Sequence, residues 1–201
     1  MASWAWLTAL LLGCTAPFHG QMAVISQAPQ SAKPPVPYED VGACPFEGCV
    51  YRAWTATAAV WVRSDRKASA PLVYTVSKGE QVTALTGVVV TIKPGRVEFP
   101  KAVTLRTASG SLRVEPGQPL YLLTYRGEGF FKAWFAGRLH DDLDGTVFYN
   151  GVCDYQPERC LGKMVERAES IWWVQVRNRR GQTGWTSDVD KFDGKDALSG
   201  K

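Results

Sequence analysis

The stretch IWWVQVRNRRGQTGWT, residues 171–186, decides the fold class. Aromatic and β-branched residues crowd its first half. A polar run, Asn178-Arg179-Arg180-Gly181-Gln182, then leads into a second short apolar segment that ends on Trp185. That order describes a β-hairpin, with glycine supplying the positive φ that the turn needs. The same grammar repeats on the N-terminal side: VYRAWTATAAVWVRS (50–64), PLVYTVSKGEQVTALTGVVVTI (71–92), RVEF (96–99), VTLRT (103–107), SLRV (111–114), PLYLLTY (119–125), GFFKAWF (129–135) and TVFY (146–149). Within the second of these, Lys78-Gly79-Glu80 separates two strand-like runs and reads as another hairpin turn. Short strands broken closely by Gly, Pro and Asp predict an all-β sandwich or small barrel. The one helical expectation is LGKMVERAES, residues 161–170, as a single short helix.

Three segments carry a family resemblance. AAVWVRS (58–64), VSKGEQVTAL (76–85) and WVQVR (173–177), the last followed by Gly181 and Gly184-Trp185-Thr186, resemble bacterial SH3-like (SH3b) domains. Those domains run from an NVRSGP strand through a GE-x-V-x-V-L hairpin to W-x-x-V and G-x-x-GWV. The resemblance implies a small SH3-like β-barrel. The sequence departs from the family where Asp65-Arg66 replace the Gly-Pro turn, and where a long interval separates Leu85 from Ile171. Inside that interval VEPGQPLYLL (114–123) repeats the logic of 76–85, and RGEGFFKAW (126–134) supplies a further hairpin. The expected organisation is an SH3-like β unit at 44–108, then a second such unit, or an insertion with closing strands, at 109–187. A polar C-terminal tail is expected at 188–201. Two tandem units and one barrel with a large β insertion both satisfy the pattern.

The N-terminal part reads as targeting. No charged side chain occurs before Lys33, and AWLTALLL (5–12) is of the length of a secretory apolar core, too short for a membrane span of about 20 residues. Residues 1–28 are expected to be a signal peptide. Leu11-Leu12-Gly13-Cys14 fits a lipoprotein signal with Cys14 as the lipidated residue, while Ser26-Gln27-Ala28 fits ordinary cleavage. A lipid anchor of this kind would be the chain's membrane contact. Residues 29–43, rich in Pro, Ala and Gln, read as a linker. The expected location is the periplasm, or the outer membrane as a lipoprotein. The remaining cysteines come as two close pairs, Cys44 with Cys49 and Cys153 with Cys160. In an exported chain an even count reads as disulfides, local loops being the simplest of three connectivities, and the spacings are wider than those of zinc knuckles.

Composition narrows the function. With 201 residues, 45% of them hydrophobic and 21% charged, the chain suits one or two packed domains. Its 23 Lys and Arg against 19 Asp and Glu give a formal charge of +4 without a clustered basic stripe, which argues against nucleic acid. Two histidines, His19 and His140, and no paired nucleophile and base argue against an enzyme. The cluster His140, Asp141, Asp142, Asp144 and the C-terminal Asp188, Asp190, Asp193, Asp196 match neither a zinc nor a calcium spacing, so neither a metal nor a cofactor is expected.

Aromatic residues are the candidates that remain. Trp54, Trp61, Trp134, Trp172, Trp173 and Trp185 all fall in expected strands, and the adjacent pair Trp172 and Trp173 must point to opposite faces. One of that pair is expected outside the core, either exposed on the sheet or covered by the insert. Beside Arg177 and Arg179 it would form an aromatic and basic groove, and the candidate binding set is Trp172, Trp173, Arg177, Arg179, Trp185 and Trp134. The SH3-like resemblance implies peptidoglycan or an envelope protein partner as the ligand of a non-catalytic module. The competing reading is a structural or accessory envelope protein without a ligand groove.

Overall fold

A computed structural model describes residues 33–149, 153 and 155–198. The expected signal segment, with Cys14, lies outside them. Among the described residues the strands are β1 (Tyr38–Val41), β2 (Ala53–Ala56), β3 (Val60–Arg63), β4 (Leu72–Val76), β5 (Gln81–Lys93), β6 (Gly95–Glu98), β7 (Val103–Thr107) and β8 (Gly110–Val114). There follow β9 (Leu120–Gly127), β10 (Phe130–Phe135), β11 (Arg138–Asp144), β12 (Lys163–Glu166), β13 (Glu169–Arg177), β14 (Thr183–Thr186) and β15 (Phe192–Asp193). The class is all-β, with helical structure confined to short pieces such as the single 3-10 turns Pro157–Arg159 and Val189–Lys191.

β5 organises the larger sheet. One of its edges pairs with β13, from Glu169↔Lys93 to Arg177↔Thr83. Its other edge is shared, β2 taking Gln81 to Thr83 and β1 taking Val88 to Thr91. The full order is β15-β2-β5-β13-β14-β3-β4, and the sheet curls into a half-barrel. Alternation decides what it encloses. Val60 and Val62 on β3, Val82 and Ala84 on β5, and Val174 and Val176 on β13 face inward with Trp54 and Phe192. Fully burying side chains of this size contributes about 1.5–3 kcal/mol each. Trp54 lies between Tyr51, Trp172 and Phe192, its ring centroid 5.7–6.1 Å from theirs.

The chain between β5 and β13 builds a second, five-stranded sheet, β11-β10-β9-β6-β12, with the β7–β8 hairpin beside it. Its core is separate and comprises Val97, Phe99, Leu105, Val114, Leu120, Phe131 and Phe148 among others. The two sheets meet at a buried charge cluster. Asp40 on β1 accepts from Lys132 Nζ at 2.9 Å and lies 3.3 Å from an Arg126 nitrogen, while Lys132 also reaches Asp141 at 3.1 Å. Asp40 is 3% exposed, so removing both bases would strand a buried charge.

Several expectations change against this architecture. Residues 108 and 109 lie in the tight β7–β8 hairpin, where Thr107 pairs with Gly110, and the chain from 94 to 168 runs between two strands that pair with each other, β5 and β13. Residues 161–170 form β12 and the start of β13 rather than a helix: β12 pairs with β6, and a segment this short has no helical stability to oppose that pairing. The linker at 29–43 ends in β1, where Tyr38-Glu39-Asp40-Val41 pairs with β5. The tail at 188–201 is not merely polar, since Phe192 is completely buried in the first core and β15 extends the sheet. Both hairpin turns form, with Gly79 at φ 83° and Gly181 at φ 80°. Cys44 is bonded to Cys49 and Cys153 to Cys160, the two local loops, and disulfides of this kind belong to a non-reducing environment.

Candidate functional site

The outer face of the large sheet carries the aromatic and basic residues. On β3 the sequence Val60-Trp61-Val62-Arg63 buries its valines and turns Trp61 and Arg63 outward. Arg63 stands opposite Trp185 on β14, and Trp185 opposite Gln175 on β13, so these three share one row across the sheet. Trp173 lies two residues from Gln175 on that same face, and Arg177 two residues beyond it.

A loop roofs part of this face. Residues 64–71 join β3 to β4, and Arg66 within them places its guanidinium 5.3 Å above the Trp185 ring while pairing with Glu39 on β1 at 2.9 Å. The roof is fastened at its base, where Arg63 donates to the Ala70 carbonyl at 2.9 Å and the Ser64 amide donates to that of Pro71. A cleft of about 150 Å3 remains, bounded by Trp61, Arg63, Ala68, Trp173, Thr186 and Asp188. Trp61 stands at it with 59% of its surface in solvent, and the Arg63 guanidinium lies 5.9 Å from its ring centroid. An exposed indole beside a planar cation offers a stacking surface and donors for a carboxylate.

The expected site residues divide around this cleft. Trp173 lines it but is only 6% exposed, so it forms the floor rather than the grip. Trp185 is on the same face, covered by Arg66. Trp172 points the opposite way, into the first core, where Phe46 meets it edge-on at 5.8 Å and its indole N–H donates to the Tyr51 hydroxyl. Arg177 is exposed at the end of β13, and Arg179 lies in the β13–β14 turn, away from the roof. Trp134 is on β10 of the other sheet, its buried indole nitrogen without a hydrogen-bond partner, and it takes no part in the cleft. Trp61, Arg63 and Arg66 are the additions. The alternation in Val60-Trp61-Val62-Arg63 could have signalled the first two, because two small inward valines leave the indole and guanidinium outside, whereas no local pattern marks Arg66.

Among the described residues no group of three or more His, Cys, Asp and Glu is placed to hold a metal ion. Asp144 accepts from both the Thr146 amide and hydroxyl and from Arg106; burial pushes its carboxyl up, but those hydrogen bonds outweigh it and leave the group below its usual range. Burial holds the His140 imidazole below its ordinary value, against an opposing hydrogen bond to the Phe135 carbonyl. Asp188 pairs with Lys191 at 2.9 Å.

No protein-family model, no curated protein and no solved structure matches the chain. What the fold and the site define is therefore a class: a disulfide-bonded all-β protein whose curled sheet carries a small roofed cleft beside an exposed tryptophan.

Proposed function

We propose that this protein is an exported, non-catalytic binding module of the bacterial envelope, SH3-like in kind, that holds peptidoglycan at the Trp61 cleft. The observation that carries the reading is Trp61 itself, a large apolar ring left 59% exposed on a strand and flanked by Arg63. An indole face stacks against the apolar face of a sugar, and an arginine fork takes the carboxylate of a cell-wall peptide. The formal charge of +4 suits that anionic polymer. Export to the periplasm, by ordinary cleavage or as a lipoprotein through Cys14, agrees with two disulfides in the folded part.

A passive structural role is the second reading, and the covered state of Trp173 favours it. Titration of the purified protein with a soluble disaccharide-peptide fragment, followed by tryptophan emission, separates the two. The binding module predicts a saturable change that Trp61→Ala and Arg63→Ala each weaken by about tenfold or more. A passive protein gives no saturable change, and that outcome would remove peptidoglycan from consideration.

A further inference from the structure

We propose that Arg66 is a latch, and that lifting it joins Trp185 and Trp173 to the Trp61 cleft as one surface for a glycan strand of several sugars, a device that rests on the peptidoglycan reading for its ligand alone. As it stands the cleft holds about 150 Å3. Sites for small ligands enclose roughly 300–1,000 Å3, so the closed protein has room for one small group. More indole lies beside it. Arg63, a wall of the cleft, is opposite Trp185, whose ring is outside the cleft beneath the Arg66 guanidinium. β13, β14 and β3 are consecutive in the sheet, so Trp173, Trp185 and Trp61 stand on adjacent strands with one outward face in common.

The cover is built to move. Among the described residues, the ion pair and the ring contact that fasten the middle of the loop to the sheet both belong to Arg66. Its neighbours Asp65, Lys67, Ala68 and Ser69 are exposed, so lifting the loop uncovers little of the loop's own apolar surface. The Arg66–Glu39 pair is open to solvent, the side chains being 26% and 45% exposed, and pairs of that kind are weak and screened by salt. The closed position also leaves Arg66 Nη1 buried without a hydrogen-bond partner, a donor that water meets once the side chain swings out. The base of the loop stays in place, because Arg63 donates to the Ala70 carbonyl and the Ser64 amide to that of Pro71. Opening gives a ligand more than apolar area. Indole faces take successive sugars, and the freed guanidinium, beside Arg63, supplies a second fork for a peptide carboxylate. The closed cover lowers the affinity for a long strand in proportion to the fraction of molecules that are open.

Acrylamide quenching of tryptophan emission in the purified protein tests the latch without any ligand. Raising salt from about 10 mM to about 1 M shortens the reach of the ion pair's field roughly tenfold, and quenching should rise with it. Glu39→Gln should show the higher quenching already at low salt, and Trp185→Phe should lose the salt response. Two soluble peptidoglycan fragments, a single disaccharide-peptide and a strand of several such repeats, then test the ligand. Glu39→Gln should tighten the longer fragment by about threefold or more and leave the shorter one unchanged. Quenching that ignores both salt and Glu39→Gln overturns the latch whatever binds. A salt response with binding of neither fragment supports the latch and overturns the peptidoglycan reading. Equal tightening of both fragments overturns the assignment of the uncovered surface to a longer strand.

Discussion

Gly87 is where a single added methyl group should do most damage to the fold. It lies on β5 opposite Val174, beneath the segment that carries the first disulfide. A Cβ there would collide with the Tyr51 hydroxyl, stand 2.5 Å from the Trp172 indole nitrogen and 2.9 Å from the Ala43 carbonyl oxygen. Those are the three groups of one hydrogen-bonded chain, in which Trp172 donates to Tyr51 and Tyr51 donates to Ala43. Overpacking of this kind costs about 1–3 kcal/mol. Displacing Tyr51 also endangers two hydrogen bonds, each worth about 1 kcal/mol net. Alanine returns up to about 1 kcal/mol through its better strand preference, so Gly87→Ala should lose about 2–4 kcal/mol. For a chain of this size that lowers Tm by about 5–15 °C in a thermal melt. A double-mutant cycle tests the cause. Tyr51→Phe removes the nearest obstacle, so Gly87→Ala should cost at least about 1 kcal/mol less in that background than alone. Additive losses, or a Gly87→Ala protein as stable as the parent, would refute the reasoning.

Other consequences follow from burial and from the titrating groups. Phe192→Ala should destabilise by about 3–5 kcal/mol in urea unfolding, as a core aromatic does and a residue in a polar tail does not. Burial, assisted by the charge of Glu80, pushes the Tyr74 phenol up to about 12 while its hydroxyl donates to the Val176 carbonyl. Since the folded state keeps that proton longer than the unfolded chain, stability should be intact below pH 10 and fall from about 10 to 12. Tyr74→Phe should flatten that fall in pH-dependent unfolding. The depressed His140 works in the opposite direction: its contribution is present above pH 6.5 and is lost as pH falls below it, so its NMR titration midpoint should lie below 6.5 and His140→Gln should blunt the acid loss.

The local half of this fold was legible and the non-local half was not. Lys78-Gly79-Glu80 and Asn178 to Gln182 announced their hairpins because glycine at positive φ leaves a mark within four residues. The two disulfides were equally local. The pairing of β5 with β13 spans the whole insertion, and nothing near Gln81 or Glu169 names its partner, so tandem and inserted units read alike. β1 and β15 were invisible for a different reason: Tyr38-Glu39-Asp40-Val41 and Phe192-Asp193 are short and half polar, and they become strands only because a neighbour, β5 for the first and β2 for the second, offers a free edge. Met164 and Val165 in a run of helix-favouring residues pointed to a helix, but β6 supplied a partner that propensity could not foresee.

The candidate site was legible in kind more than in place. Opposite faces for Trp172 and Trp173 followed from strand geometry, and the sheet obeys it. What could not be read was the loop at 64–71, whose Arg66 crosses to Glu39 and closes the face over Trp185. That closure moves the accessible indole from Trp173 to Trp61.

Co-sedimentation of the purified protein with insoluble peptidoglycan sacculi, run beside Trp61→Ala, tests the central claim most directly. Trp61 is largely exposed, so its removal should leave the melting temperature within a few degrees of the parent. The account predicts that the parent pellets with the sacculi at low salt and that the folded Trp61→Ala protein stays in the supernatant. Equal pelleting of both, or of neither, would contradict it.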